Sequence, residues 1–393
     1  MTNSYRRSAP ALTPAAVFAF TFLAFWACLL IPTPVLSQSL LIGDDAPFAA
    51  AILIEAETGT VLVRHNANAV LSPASTQKLL LQLVVLDAVT EGRLSLSDSV
   101  YTSAWASRMG GSQVFLKQGE VFTLGQMMEA ISIVSANDAC VAVAEHVAGT
   151  SEEFVRMMND KAEQLGLGTT HCVNVHGLDD TPSDEGNHTS AFDLSQIARA
   201  LLVHPEVLGW SSVRYKPFRD GAFMLYTTNK LLGKMPGLDG LKTGYTQRAG
   251  YCLVATAQRR QMRLISVILD ANTERHRRDQ TKRLLNFGFN NFNKVPIAQG
   301  GTHLGDVALD WGLEPQVKAV IADTVIAVLS TRQRRLLTQQ VTLSDLLPAP
   351  IKAGDELGMV EISVGDSLLA QVKLVADRSV GRMSYWEKLM SYF

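Results

Sequence analysis

From residue 50 onward the hydrophobic positions fall into a readable order. Ala50–Ala56 and Val61–Arg64 are short apolar runs joined by Glu57-Thr58-Gly59-Thr60, a hairpin pattern. After Pro73 the run from Ser75 to Leu86 is apolar almost all round, which predicts a buried helix. Val121–Ile133 reads as a second helix, with Thr123 and Gln126 at capping-box spacing. A third helix is predicted from Asp138 to Val147. A fourth starts near Ser190, where Asp193, Leu194, Ile197, Ala198, Leu201 and Leu202 keep a 3.6-residue period. The pattern then shortens to three apolar strands, Gly240–Tyr245, Tyr251–Ala257 and Arg263–Leu269, and a helix around Arg277–Phe287. Strands at both ends with helices between them predict one sheet made from distant segments and carrying a helical insert.

After Phe292 the texture changes. Thr302–Ala308, Val317–Ile321, Val325–Leu329, Leu336–Val341, Glu356–Val364 and Ser367–Val375 are short strands separated by Gly, Pro and Asp turns. They predict a separate small β-sandwich, residues 292–378, after a first domain of residues 45–291. In the tail, residues 381–393, Met383, Trp386, Leu389 or Met390, and Phe393 share one helix face. That face suits either packing on the β domain or lying in a membrane surface.

The other apolar concentration is N-terminal. Arg6 and Arg7 precede an apolar run from Ala15 to Ile31, and Pro32, Pro34 and Val35-Leu36-Ser37 follow it. This is the layout of a secretory signal over residues 1–37, with a retained anchor helix as the alternative. The run contributes to the slightly positive mean hydropathy of +0.12. The 393 residues are 47% hydrophobic with a formal net charge of −2, which excludes a disordered chain and leaves no electrostatic footprint for nucleic acid. Removal of the signal would leave Cys140, Cys172 and Cys252, an odd number, so stability must come from a core rather than from disulfides. No histidine or cysteine spacing indicates a metal site, and no cofactor motif is present.

Three short motifs carry candidate chemistry. Ser75-Thr76-Gln77-Lys78 puts a hydroxyl and an amine on one helix face, where a neutral lysine can take the serine proton. On its own the pattern also describes a cap followed by a surface lysine. Ser135-Ala136-Asn137 falls between two helices; it reads as an ordinary turn, or as a proton-relaying hydroxyl beside a substrate-orienting amide. Lys242-Thr243-Gly244 lies in an apolar strand, where a lysine and a hydroxyl can meet a carboxylate and glycine permits close approach. The alternative is an edge strand with an outward lysine.

Their order, with Ser135 sixty residues after Ser75 and Lys242 a further 107 on, resembles the active-site serine penicillin-recognising superfamily. The words around them, Gly110-Gly-Ser-Gln-Val-Phe-Leu, Val175-His-Gly-Leu and Asp239-Gly-Leu-Lys-Thr-Gly-Tyr-Thr, are similar to the low-molecular-weight D-alanyl-D-alanine carboxypeptidases. The resemblance implies an α/β transpeptidase-like catalytic domain, an antiparallel sheet with a helical insert, followed by an all-β domain. It implies Ser75 as nucleophile, Lys78 as its base, Ser135 as relay and Asn137 as orienting amide. Lys242, Thr243 and Gly244 would bind substrate, the backbone amides of Ser75 and Tyr245 would form the oxyanion hole, and Arg277 would meet the terminal carboxylate. His176 takes the place of a loop histidine near the site, and a purely structural role suits it as well. Peptidoglycan pentapeptide and β-lactams are the implied ligands. The tail becomes a membrane anchor, and the location the periplasmic face of the inner membrane.

Ala136 stands where the family usually has Gly, Gln77 where it has Thr, and Phe192 where it often has Arg. The acidic loop of residues 179–188 is a place for altered substrate preference. Rival readings are a D,D-endopeptidase, a non-catalytic wall-binding protein and a β-lactamase. The last would need a deacylating Glu, and Glu163 lacks the residues that normally follow it.

Overall fold

The structure, a computed structural model, describes residues 45–179 and 186–391. The export signal, most of the acidic loop and Phe393 of the tail lie outside the described residues. Five antiparallel strands form the central sheet, in the order Val61–His65, Phe48–Glu55, Met262–Ala271, Gly250–Arg259, Leu238–Thr246. The first two are the expected hairpin, and the last three are the late strands.

Alternation along Phe48–Glu55 explains why the sheet is buried on both sides. Ala50, Ile52 and Ile54 face a core shared with the helical insert, whereas Ala51 and Leu53 face a second core against the Glu274–Asn291 helix. Leu284 and Leu285 of that helix are buried there. The helix starts at a Thr273 side-chain cap and runs longer at both ends than the apolar stripe alone indicates.

The insert holds Lys78–Thr90, Leu124–Ile133, Asn137–Ala148, Ser151–Gln164, Ala191–Leu201 and Pro205–Ser211. Lys78–Thr90 runs through its middle, and from Lys78 to Leu86 every residue is buried. Three details differ from the sequence reading. Val121–Thr123 is a strand paired with Ser99–Tyr101, so the second helix begins at Leu124, and the Thr123–Gln126 capping box marks that start. Ser75 lies on a 3-10 turn, Ala74–Gln77, and the α-helix proper begins at Lys78. Ser151–Gln164 is an additional helix, capped by Thr150 and buried only through Phe154, Met158 and Ala162.

Phe292 begins the β domain directly after Asn291. A six-stranded sheet and the two-stranded pair Phe292–Ala298 and Val325–Ser330 enclose one apolar core. Arg332, Arg334 and Arg335 are exposed on the short Thr331–Arg335 helix. The tail helix is shorter than its pattern indicates, Tyr385–Met390. Its chain is pinned at the start, where Met383 N donates to Trp311 O at 2.7 Å and Leu313 N to Gly381 O at 2.9 Å. Cys140, Cys172 and Cys252 are all unpaired and buried. Burial pushes their thiols up, to about 11 for Cys140 and about 12 for the other two, which makes them poor nucleophiles.

Candidate active site

The site forms where the insert meets the edge strand Leu238–Thr246. Lys78 is its centre. The Nζ lies 3.1 Å from Ser75 Oγ, 3.0 Å from Ser135 Oγ, 2.8 Å from Ser135 O and 2.5 Å from Asn137 Oδ1. Four oxygens surround an amine that carries at most three hydrogens. Either form makes three hydrogen bonds at once, the ammonium by donating three and the neutral amine by donating two and accepting one from a serine hydroxyl, so two of the four oxygens share one position. Burial pulls Lys78 down to about 8, with Cys140 and Asp138 opposing the shift.

Two features hold the groups of the second motif in place. Ser135 has φ of +68°, a conformation that side-chain-bearing residues rarely adopt, and it turns both Ser135 O and Oγ toward Lys78. Asn137 is held from the other side, since Asn137 N donates to Ser112 O and Nδ2 to Gly110 O, both at 2.7 Å. The Gly110–Leu116 segment is anchored in turn by the buried Asp138 carboxylate, which accepts from Val114 N and Leu116 N. Arg219 grips the same segment through Val114 O and Phe115 O.

Gly244 brings the third motif to Ser75. A Cβ there would lie 3.0 Å from Ala74 Cβ, Pro73 O and Ser75 N, so glycine lets this strand lie against the serine turn without pushing it back by a few tenths of an ångström. Lys242 is fully buried, and Nζ donates to Thr243 O at 2.9 Å. Burial, the Lys78 charge and Arg277 together hold its pKa well below the ordinary lysine range. Thr243 Oγ1 lies 2.6 Å from Thr228 Oγ1.

Arg277 does not open into this cleft as a free guanidinium. It is buried under the strands, donates to Gly244 O and Cys252 O at 3.3 Å, and its guanidinium lies over Tyr251. Its charge reaches the site through Lys242. Tyr245, next on the edge strand, is half exposed and packs on Tyr251 with ring centroids 4.4 Å apart. His176 is buried, and its Nδ1 accepts from Leu178 N at 3.3 Å. Burial and the nearby Lys78 push it down to about 3, so it stays neutral and shapes the turn. Glu163 is exposed on the last turn of Ser151–Gln164.

Sequence reasoning missed Asp138, Thr228 and Gly177. Asp138 reads as a helix-start residue, and only its burial shows that it serves as an anchor. Gly177 has φ of +82°, and a Cβ there would lie 2.1 Å from Ala74 O. The Val175–Leu178 turn therefore presses on the nucleophile turn, and Gln77 Nε2 donates to Asn174 O beside it.

This is the geometry of a Ser–Lys acyl-transfer site on a sheet-and-insert scaffold. Residues 44–273 match the family model for D-alanyl-D-alanine carboxypeptidase, and residues 292–382 match that of the penicillin-binding protein 5 C-terminal domain. The chain is 35% identical over 341 residues to D-alanyl-D-alanine carboxypeptidase DacF of Bacillus subtilis, with 86% of each covered. The crystal structure of penicillin binding protein 6B from Escherichia coli matches with a TM-score of 0.71 and 30% identity, over 84% of this chain and 96% of that one. Penicillin-binding protein D2 from Listeria monocytogenes, in its ampicillin-bound form, matches with a TM-score of 0.57 and 34% identity, over 62% of this chain and 98% of that one. The chain belongs to the D-alanyl-D-alanine carboxypeptidase family of serine peptidases.

Gly177→Ala tests the packing of the two turns. It should slow acylation of Ser75 by a fluorescent penicillin by at least about tenfold, a barrier rise of roughly 1.4 kcal/mol. Unchanged labelling kinetics in a folded variant would show that the two turns are not mechanically coupled.

Proposed function

We propose that this carboxypeptidase releases the terminal D-alanine of peptidoglycan stem pentapeptides through an acyl-enzyme on Ser75. The observation that carries the reading is the buried Lys78 amine, 3.1 Å from Ser75 Oγ. Neutral Lys78 takes the Ser75 proton, and Oγ attacks the penultimate D-alanine carbonyl. The oxyanion is held by the backbone N–H groups of Ser75 and Tyr245. The proton passes through Ser135 to the leaving nitrogen, the C–N bond breaks, and D-alanine departs. Water, deprotonated by the same lysine, then attacks the ester; the acid is released and Ser75 regains its proton. Asn137 orients the peptide, and Lys242 with Thr243 binds the terminal carboxylate.

Two buried amines, Lys78 and Lys242, share one problem, since each charge disfavours the other. An anionic substrate resolves it. The carboxylate stabilises the ammonium of Lys242, and the proton that is given up is that of Lys78. The same carboxylate is present in penicillins, and the ampicillin-bound relative supports their use as covalent probes. Arg277, buried beneath the strand, adds positive potential at Lys242.

The chain is also proposed to be exported by residues 1–37 and to sit on the periplasmic face of the cytoplasmic membrane. Among the described residues no helix is long and apolar enough to cross a membrane. The support is of another kind. Tyr385, Trp386 and Met390 are 81%, 76% and 68% exposed, and Arg382 and Lys388 flank Trp311 beside them. Exposed aromatic and apolar side chains bordered by cations suit an interfacial helix.

Three outcomes are expected. Ser75→Ala should abolish both D-alanine release and covalent penicillin labelling; surviving label, located by mass spectrometry of the peptide adduct, would reassign the nucleophile. The acylation rate constant should rise with pH around a midpoint near 8, because the base works only after losing its proton. Lys78→Arg keeps the charge but cannot deprotonate, so it should remove that limb along with acylation. Full-length protein should co-sediment with vesicles containing anionic phospholipid, and Trp386→Ser should lower the bound fraction several-fold. Equal sedimentation of the two proteins would detach the tail from the membrane reading.

A further inference from the structure

The Thr243 hydroxyl has a partner outside its own strand. Thr228 follows the Phe223–Tyr226 strand, and its Oγ1 lies 2.6 Å from Thr243 Oγ1. Thr228 N donates to Ile133 O at 3.2 Å, at the end of the helix that leads into Ser135. The neighbouring Asn229 donates from Nδ2 to Gly240 O at 3.4 Å, on the Lys242 strand. Thr228 is therefore tied to the second motif through its main chain and to the third through its side chain. Thr243 is only 7% exposed, and Thr228 lies half-buried beside it.

Each hydroxyl has one hydrogen to give, so the pair has two possible polarities. If Thr243 donates to Thr228, Thr243 presents only lone pairs to the cleft and repels a carboxylate. If Thr228 donates to Thr243, the Thr243 hydrogen is free for a carboxylate. The two O–H dipoles then run head to tail and strengthen one another. A nearly buried Thr243 has little water to turn to, and once its one hydrogen is given to a carboxylate, Thr228 is the hydroxyl placed to donate to it in return.

We propose that Thr228 is a positioning residue that holds the Thr243 hydroxyl in its donating polarity. It thereby sets the affinity for the C-terminal carboxylate of the peptide without touching the reacting carbonyl. The inference rests on the reading of Lys242 and Thr243 as the carboxylate-binding pair.

The test compares ligands with and without that carboxylate. Thr228→Val keeps the shape and removes the hydroxyl, and Thr228→Ser keeps the hydroxyl. The probes are a pentapeptide stem, benzylpenicillin and benzylpenicillin methyl ester, used with the full-length protein. Thr228→Val should raise KM for the pentapeptide roughly three- to twelvefold, the range for one lost neutral hydrogen bond, with kcat within about twofold. Acylation by benzylpenicillin should slow by a similar factor, and acylation by its methyl ester should change less than about twofold. Thr228→Ser should restore the parent values. Equal slowing with acid and ester, or no slowing with either, would overturn the proposal, as would a serine variant as impaired as the valine one. If Thr228→Val fails to fold, Thr228→Ala against Thr228→Ser reads the same acid-to-ester ratio. The underlying reading fails separately: Thr243→Val with an unchanged acid-to-ester ratio would remove Thr243 from the carboxylate site altogether.

Discussion

The constraint on which the molecule depends is the burial of one primary amine. A lysine taken out of water loses most of the advantage of its charge, and Lys78 is fully enclosed. Its protonated form is tolerable only among oxygens, and its neutral form is useful only beside a hydroxyl. Both requirements meet in the same few ångströms. The apolar helix behind Lys78 supplies the burial, and the second motif supplies the oxygens. Most of the insert can be understood as scaffolding for that arrangement. Asp138 and Arg219 fix the segment that fixes Asn137, and Asn137 in turn fixes the amine.

The sheet contributes the opposing wall. Its two cores immobilise the edge strand from both faces, so that the Gly244 backbone can rest against the serine turn without a side chain between them. Rigidity matters because acyl transfer needs the nucleophile, the base and the oxyanion donors held together before substrate arrives. The strained φ at Ser135 belongs to the same logic. The surrounding packing imposes a conformation that an isolated turn would avoid, and the return is a hydroxyl aimed at the base.

Much of this was legible in the sequence because it rests on periodicity and on side chains whose chemistry is local. The short apolar runs between turn residues located the strands, and the almost wholly apolar run after Ser75 indicated a helix surrounded by protein. Ser151–Gln164 was missed because its buried positions, Phe154, Met158 and Ala162, recur only every fourth residue in an otherwise charged segment. Val121–Thr123 was absorbed into a helix because its three residues are continuous with a helical pattern. Pairing with Ser99–Tyr101 is a tertiary fact. Thr228 and Gly177 were not legible for a related reason. Thr228 belongs to no motif, Gly177 was noticed only as part of the word Val175-His-Gly-Leu, and each matters through an atom more than a dozen residues away. Arg277 shows the converse case. Its place in the chain suggested a ligand contact, and only the structure shows its hydrogen bonds to Gly244 O and Cys252 O beneath the strand.

The Leu238–Thr246 strand ends the central sheet, and nothing in the sheet pairs with its outer side. Such an edge leaves main-chain donors and acceptors without a strand partner, although side chains already occupy Asp239 O, Gly240 O and Thr243 O, and it is the kind of edge to which an extended peptide can add as a further strand. Recognition of that kind reads main chain before side chain. It therefore suits a substrate whose last two residues offer only methyl groups to grip. On such an edge a small side chain suffices, because main-chain hydrogen bonds would supply the hold.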